Sequence, residues 1–281
     1  MRHIISTKKN SEGICNICGE FGRLTEDHTP PKGCIRISKV EMKHVVDYFH
    51  TDKSVTKGRI SQNGVKYKTL CPRCNNVLLG ANYDKALISF VNTTGNYIKS
   101  PIHLPKNMSV NGQPQKIMRS ILGHLAAQGV DRYQKGPDTI PLRDYFIDET
   151  LPLPENANFY YWIYPYETQV LTRDCVYLDI KFEKPFGIWF IKFFPIAFMV
   201  TWDEPTNHRF NLAGLVTWRF TGINDEADIP IRLDTVVHQH WPETPLIDGI
   251  VVTYGRDAII AENKPSNLSL TKVRQAVRGL Q

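Results

Sequence analysis

Two Cys-x-x-Cys pairs, Cys15-Asn16-Ile17-Cys18 and Cys71-Pro72-Arg73-Cys74, place four thiols at the spacing of a closed tetrahedral metal site. Thiolates are soft donors that favour zinc, and four of them leave no coordination position open. The expectation is therefore a structural zinc held by Cys15, Cys18, Cys71 and Cys74, with no metal-bound water. Between the pairs lies Glu26-Asp27-His28-Thr29-Pro30-Pro31-Lys32, and Asn75 follows Cys74 directly. Asp27, His28 and Asn75 supply a carboxylate, an imidazole and a carboxamide. Hydrolysis of a phosphodiester needs a base active near neutral pH and a cation facing the developing charge, and these residue types meet both needs. The 52 residues between Cys18 and Cys71 exceed what a compact zinc ribbon requires, so the fold should house something between its knuckles.

The elements that must position these residues can be read from pattern. Residues 59–70 predict a β-hairpin around Asn63-Gly64 that leads into Cys71. From Asn75 to Asn92, residues Val77, Ala81, Leu87, Ile88 and Val91 recur on one helical face, interrupted by Gly80. Residues 35–58 form an insertion, with a short helix expected at Val45, Val46 and Phe49. Residues 100–115 are rich in Pro, Asn and Gly and read as linker. Ile117, Ile121, Leu122 and Leu125 predict a helix over 116–128, and Pro137, Pro141, Pro152 and Pro154 mark a stiffer connection. Beyond residue 157 the pattern is β-rich, and 159–202 hold 15 of the 30 aromatics. Further strands are expected at Leu212–Phe220 and Gly249–Tyr254, and a last helix at Thr271–Leu280.

In order and type, Cys pair, Asp27-His28, Cys pair and Asn75 resemble the HNH endonucleases, specifically the zinc-bound treble-clef group typified by endonuclease VII. The likeness covers about residues 13 to 92. It implies an N-terminal treble-clef ββα-metal (HNH-like) lobe; with the β-rich pattern beyond residue 157, the expectation is a two-domain α+β protein whose C-terminal domain is β-rich. Residues 1–100 would be the nuclease domain, 101–156 a helical and proline-rich connection, and 157–281 a domain for substrate selection or partner binding. The resemblance assigns His28 as general base, with Asp27 and Asn75 as ligands of a catalytic magnesium or manganese ion, since such cations prefer hard oxygen donors. The third histidine of the family name is absent after Cys74, where Asn75 serves in the endonuclease VII-like pattern. Glu26, Asn76 and Asp84 could each replace an assigned ligand.

Composition bears on partners. The formal net charge is +6, and residues 1–100 carry 16 Lys/Arg against 8 Asp/Glu. A basic segment around the site fits a polyanion such as nucleic acid, with DNA expected first. The apolar run Phe186–Trp202 is broken by Lys192 and Pro195, and reads as two buried strands rather than a membrane span. No signal-peptide pattern opens the chain. Cysteines in metal spacing point to a reducing compartment, the cytoplasm, with Cys34 and Cys175 as free thiols. His238 and His240 would share one face of a strand but lack a carboxylate or cysteine motif nearby, and His124 and His208 stand alone. The aromatic block is expected to be core rather than a base-stacking surface. The β-rich part could pair with a second copy or a partner protein. The alternatives to DNA cleavage are a non-catalytic zinc module that binds nucleic acid or protein, and an RNA-cutting toxin.

Overall fold

The computed structural model describes residues 3–8, 10–49, 58–101, 104–133, 139–182, 184–234, 237–245 and 248–264. The expected helix at Thr271–Leu280, and Pro137, lie outside these residues. The protein is α+β.

The chain begins with a short antiparallel pair, β1 (Glu12–Ile14) and β2 (Phe21–Arg23), with the first Cys pair in the turn between them. Gly19 closes that turn at φ +75°, a conformation favoured for glycine. Next come β3 (Thr25–His28), β4 (Val40–His44), α1 (Val45–Phe49), β5 (Arg59–Ser61) and β6 (Lys66–Leu70). The short helix expected at Val45, Val46 and Phe49 is α1. The hairpin expected over 59–70 does not close. Gly64 turns the chain at φ +70°, but β5 pairs with β4 and β6 pairs with β3, in separate sheets. The reason is burial: Val65, Tyr67, Thr69 and Leu70 pack inward and hold β6 over the core, while all three residues of β5 keep some exposure at a sheet edge.

A π-helical segment (Arg73–Tyr83) runs straight into α2 (Asp84–Lys99). The wider turn changes the phase of the buried face. Cys74, Asn75, Leu79 and Tyr83 point inward, followed by Leu87, Phe90, Val91, Thr94 and Ile98. Val77, expected on that face, is exposed. Residues 100–115 are more than linker, because they contain β7 (Asn107–Gly112), which pairs with a strand far along the chain. α3 (Pro114–Ala127) follows, then α4 (Thr139–Ile147). Twelve residues of α3 are buried, including Arg119, Ser120 and His124, which makes it the central helix of the molecule.

The large sheet is built from β8 (Ala157–Ile163), β9 (Gln169–Asp179), β10 (Phe186–Phe193) and β11 (Ile196–Trp202), antiparallel neighbours in the order 8-11-10-9. β10 and β11 are the two buried strands expected from the apolar run. β12 (Ala213–Gly214) caps one edge beside β8, and a 3₁₀ turn (Leu215–Trp218) follows it. The long strand expected at Leu212–Phe220 is thus mostly a tight turn, with Leu215 and Arg219 buried and Phe220 exposed. β13 (Ala227–Arg232) is the partner of β7. Pro230 fits there because a two-stranded ladder leaves every strand an edge. β14 (Ile250–Thr253) and β15 (Ile259–Asn263) both pair with β9, at its two ends, either side of Asp174, whose φ is +59°. β15 then pairs with β4, so strands from within residues 1–100 extend the same sheet as β8–β11.

The sheet carries apolar clusters on both faces. Phe159, Tyr161, Ile191, Phe193 and Phe198 pack with α2 and α3, while Trp162, Tyr164, Phe190 and Met199 build the other layer. The aromatic block is mostly core, as expected.

Candidate metal centre and active site

The four expected thiols meet. The sulfurs of Cys15, Cys18, Cys71 and Cys74 all lie within 4.8 Å of one another, and the Cys18 and Cys71 Sγ atoms are 3.7 Å apart. A tetrahedral ion with sulfur bonds of about 2.3 Å sets its sulfurs about 3.8 Å apart, so the cluster could hold a metal ion of that kind. The Cys74 N–H donates to Cys71 Sγ at 3.5 Å, a backbone bond that a zinc knuckle also makes to its thiolate. Backbone bonds fix the two knuckles: Cys15 N–H to Glu20 O at 2.9 Å, Asn16 N–H to Thr69 O at 3.0 Å, and Asn75 N–H to Cys71 O at 3.0 Å. Cys34 and Cys175 are free and buried, with burial raising both thiols.

Asp27 and His28 end β3, whose register sets Asp27 against Tyr67 and His28 against Lys66. Adjacent strand residues face opposite sides, and here Asp27 turns inward while His28 stays half-buried. Asn75 stands near the start of the π-helical segment. Its Nδ2 donates to Glu26 O at 3.0 Å and Thr25 Oγ1 at 2.9 Å, joining the helix start to the strand that carries Asp27 and His28. Among the described residues no donor bonds Asn75 Oδ1 or Asp27 Oδ1, which leaves two hard oxygens available. The His28 ring has no hydrogen-bond partner among them either. Burial, followed by the charge of Lys66, holds His28 below the ordinary histidine value, against the opposing charge of Asp27. Glu26, on the exposed side, is taken by Lys66 at 2.8 Å and Lys8 at 3.1 Å.

Sequence reasoning missed His124. It does not stand alone: from the last turn of α3 its Nδ1 meets Asp27 Oδ2 at 2.8 Å and its Nε2 meets Asp84 Oδ1 at 3.0 Å. Thr29 Oγ1 donates to the same Asp27 oxygen at 3.0 Å, and Ser120 Oγ to the same Asp84 oxygen at 2.7 Å. Burial opposes the charged imidazole, but the carboxylates of Asp27 and Asp84 outweigh it and raise its pKa to about 10. His124 is therefore a buried cation between two carboxylates. For Asp84, burial is likewise outweighed by the His124 charge, which keeps its carboxyl below the ordinary value. One signal was available in the sequence: Ser120 and His124 are four apart on a predicted helix, within reach of a shared partner.

His238 and His240 lie in a turn rather than on a strand, with the His240 N–H donating to His238 Nδ1 at 3.2 Å. His208 is paired with Glu204 at 2.9 Å. Among the described residues the cysteine cluster is the one grouping of three or more His, Cys, Asp or Glu with metal-binding geometry. No described helix is long and apolar enough to cross a membrane.

Compared with protein-family models, curated proteins and solved structures, the chain matches none.

Proposed function

We propose that this protein is a metal-dependent endonuclease of the HNH type, acting on DNA, with a structural zinc in the four-thiol cluster. The reading is supported by the order of knuckle, β3–β6 ladder and helical segment starting at the second Cys pair, with Asp27 and His28 on the ladder and Asn75 on the helical segment; in a treble clef these would be the corresponding parts. The observation that carries the reading is the Asn75 clamp. A carboxamide bonded to β3 fixes the distance between the helix start and the Asp27-His28 pair, as a two-element active site needs.

In this reading His28 is the general base. Its ring is half-buried, has no hydrogen-bond partner among the described residues, and is held below the ordinary histidine value by burial, which favours the neutral form that takes a proton from water. Asp27 and Asn75 would hold a magnesium or manganese ion through their free oxygens, and that ion would supply positive charge toward the phosphate. His124 and Thr29 both engage one oxygen of the buried Asp27 carboxylate, and its other oxygen is left without a donor among the described residues. Lys66 and Lys32, whose fields reach His28, supply attraction for a phosphate backbone. Free cysteines throughout the described residues suit a reducing compartment such as the cytoplasm.

A second reading is favoured by one observation. The Asp27–His124–Asp84 network would equally serve a non-catalytic zinc module, with Asp27 as a structural residue. The two readings part in an assay with supercoiled plasmid, single-stranded DNA and RNA in magnesium or manganese. The nuclease reading expects nicking that His28→Ala abolishes. Binding without cleavage of any substrate would leave the non-catalytic module, and cleavage of RNA alone would move the activity to an RNA-cutting toxin.

A further inference from the structure

On the sheet face away from α3, an open groove of about 640 Å³ lies where the end of β9, the turn after it and residues 207–212 meet Trp241. A cavity of this volume accommodates a ligand of nucleotide size. Its walls are aromatic. Phe210 sits 4.6 Å from His208, 5.4 Å from Tyr177 and 5.6 Å from Trp241 in edge-on contacts, and Phe182 lies 5.2 Å from His208.

The lining is held in place from behind. Glu204 takes the His208 ring at 2.9 Å, the Thr201 hydroxyl at 2.7 Å and the Tyr160 hydroxyl at 3.1 Å. Trp241 is fixed through its carbonyl, which accepts from Lys192 Nζ at 2.9 Å. Lys192 is itself fully buried against Glu243 at 2.6 Å. These aromatic rings are therefore pre-set for a flat partner.

The rim is polar. Along 207–211 exposure alternates, with His208 and Phe210 turned in and Asn207, Arg209 and Asn211 turned out. Among the described residues the side chains of Asn207, Arg209 and Asn211 make no hydrogen bond or ion pair. Lys181 lies 5.6 Å from the Phe182 ring, at the same mouth. Asp179, also in the lining, already accepts from the Lys181 N–H at 3.0 Å. Flat π faces stack bases of any identity, carboxamides bond base edges, and guanidinium and ammonium groups take phosphate. A purely apolar ligand would leave the amides and cations without a role.

We propose that this groove binds one nucleotide, with its base against Phe210 and Trp241 and its phosphate on Arg209 and Lys181. The occupant is either a free nucleoside monophosphate or an unpaired nucleotide within a strand, which share this chemistry. The inference does not rest on the nuclease reading, since a protein that cuts nothing could still hold a nucleotide here.

The test is calorimetric titration of the full-length chain carrying His28→Ala, in buffer without added divalent cations. The probes are the four nucleoside 5′-monophosphates, single-stranded dA and dT hexamers, and inorganic phosphate. Saturable one-to-one binding of a monophosphate or a hexamer is expected, and which of them binds identifies the source. Lys181→Glu with Arg209→Glu, both at exposed positions, should weaken it at least tenfold. Phe210→Leu, which keeps an apolar side chain but removes the ring, should do the same while thermal melting stays cooperative. Absence of saturable binding by every nucleotide probe would overturn the proposal. So would phosphate binding as tightly as the nucleotides, or wild-type affinity in both variants.

Discussion

Replacing His124 should expose the energetics that hold the candidate site together. Its imidazole is fully buried and is the described side chain that joins Asp27 to Asp84. His124→Ala leaves two buried carboxylates facing a cavity, and removing one partner of a buried charge pair costs about 3–5 kcal/mol. The pH dependence gives an independent magnitude. The folded pKa is raised from 6.5 to about 10. That interval of about 3.5 pH units, at about 1.36 kcal/mol each, sets an upper bound of about 5 kcal/mol. Because the folded value lies above the unfolded one, this stability is fully present below pH 6.5 and is lost as pH rises through 10. Urea unfolding of wild type and His124→Ala at pH 6, 8 and 10, with metal content checked, reads both numbers. A gap of about 3–5 kcal/mol at pH 6 that shrinks by pH 10 is expected. A gap below about 1 kcal/mol at pH 6, or one that widens with pH, would refute the buried imidazolium.

Other consequences are equally specific. Metal analysis of the purified chain should find one tightly held zinc, and Cys71→Ala should lose it together with the fold of the surrounding knuckles; a metal-free, fully folded variant would contradict the structural role. Asn75→Ala removes both bonds between the helix start and β3, and should cost about 1–3 kcal/mol in urea unfolding with loss of cleavage. Lys192→Met leaves Glu243 buried without its cation, and thermal melting should show a loss of about 3–5 kcal/mol; a change under 1 kcal/mol would mean that the pair contributes little.

What the sequence disclosed follows physical locality. The cysteine cluster was legible because ligand chemistry fixes both residue type and spacing. β10 and β11 were legible because a strand buried on both faces reads as a continuous apolar run. The β5–β6 error arose because an Asn-Gly turn predicts a local hairpin, whereas each strand found a better partner elsewhere. The phase of the helix over Arg73–Lys99 was lost to its π turns, which no 3.6-residue periodicity anticipates. β7 and β13 escaped detection because Asn107, Asn111 and Gly112 in one and Pro230 in the other read as loop, and their pairing spans more than 100 residues. His124 was hard to read for a related reason: apart from its spacing to Ser120, its two partners lie 97 and 40 residues away.

The central claim is that Asp27, His28 and Asn75 form a phosphodiester-cutting site framed by four metal-binding thiols. The most direct test is a nicking assay on supercoiled plasmid with magnesium or manganese, comparing wild type with a His28→Ala variant whose near-ultraviolet circular dichroism matches it. The account predicts relaxed circles from wild type, and at least a hundredfold less from the variant. Equal nicking by both proteins would contradict it.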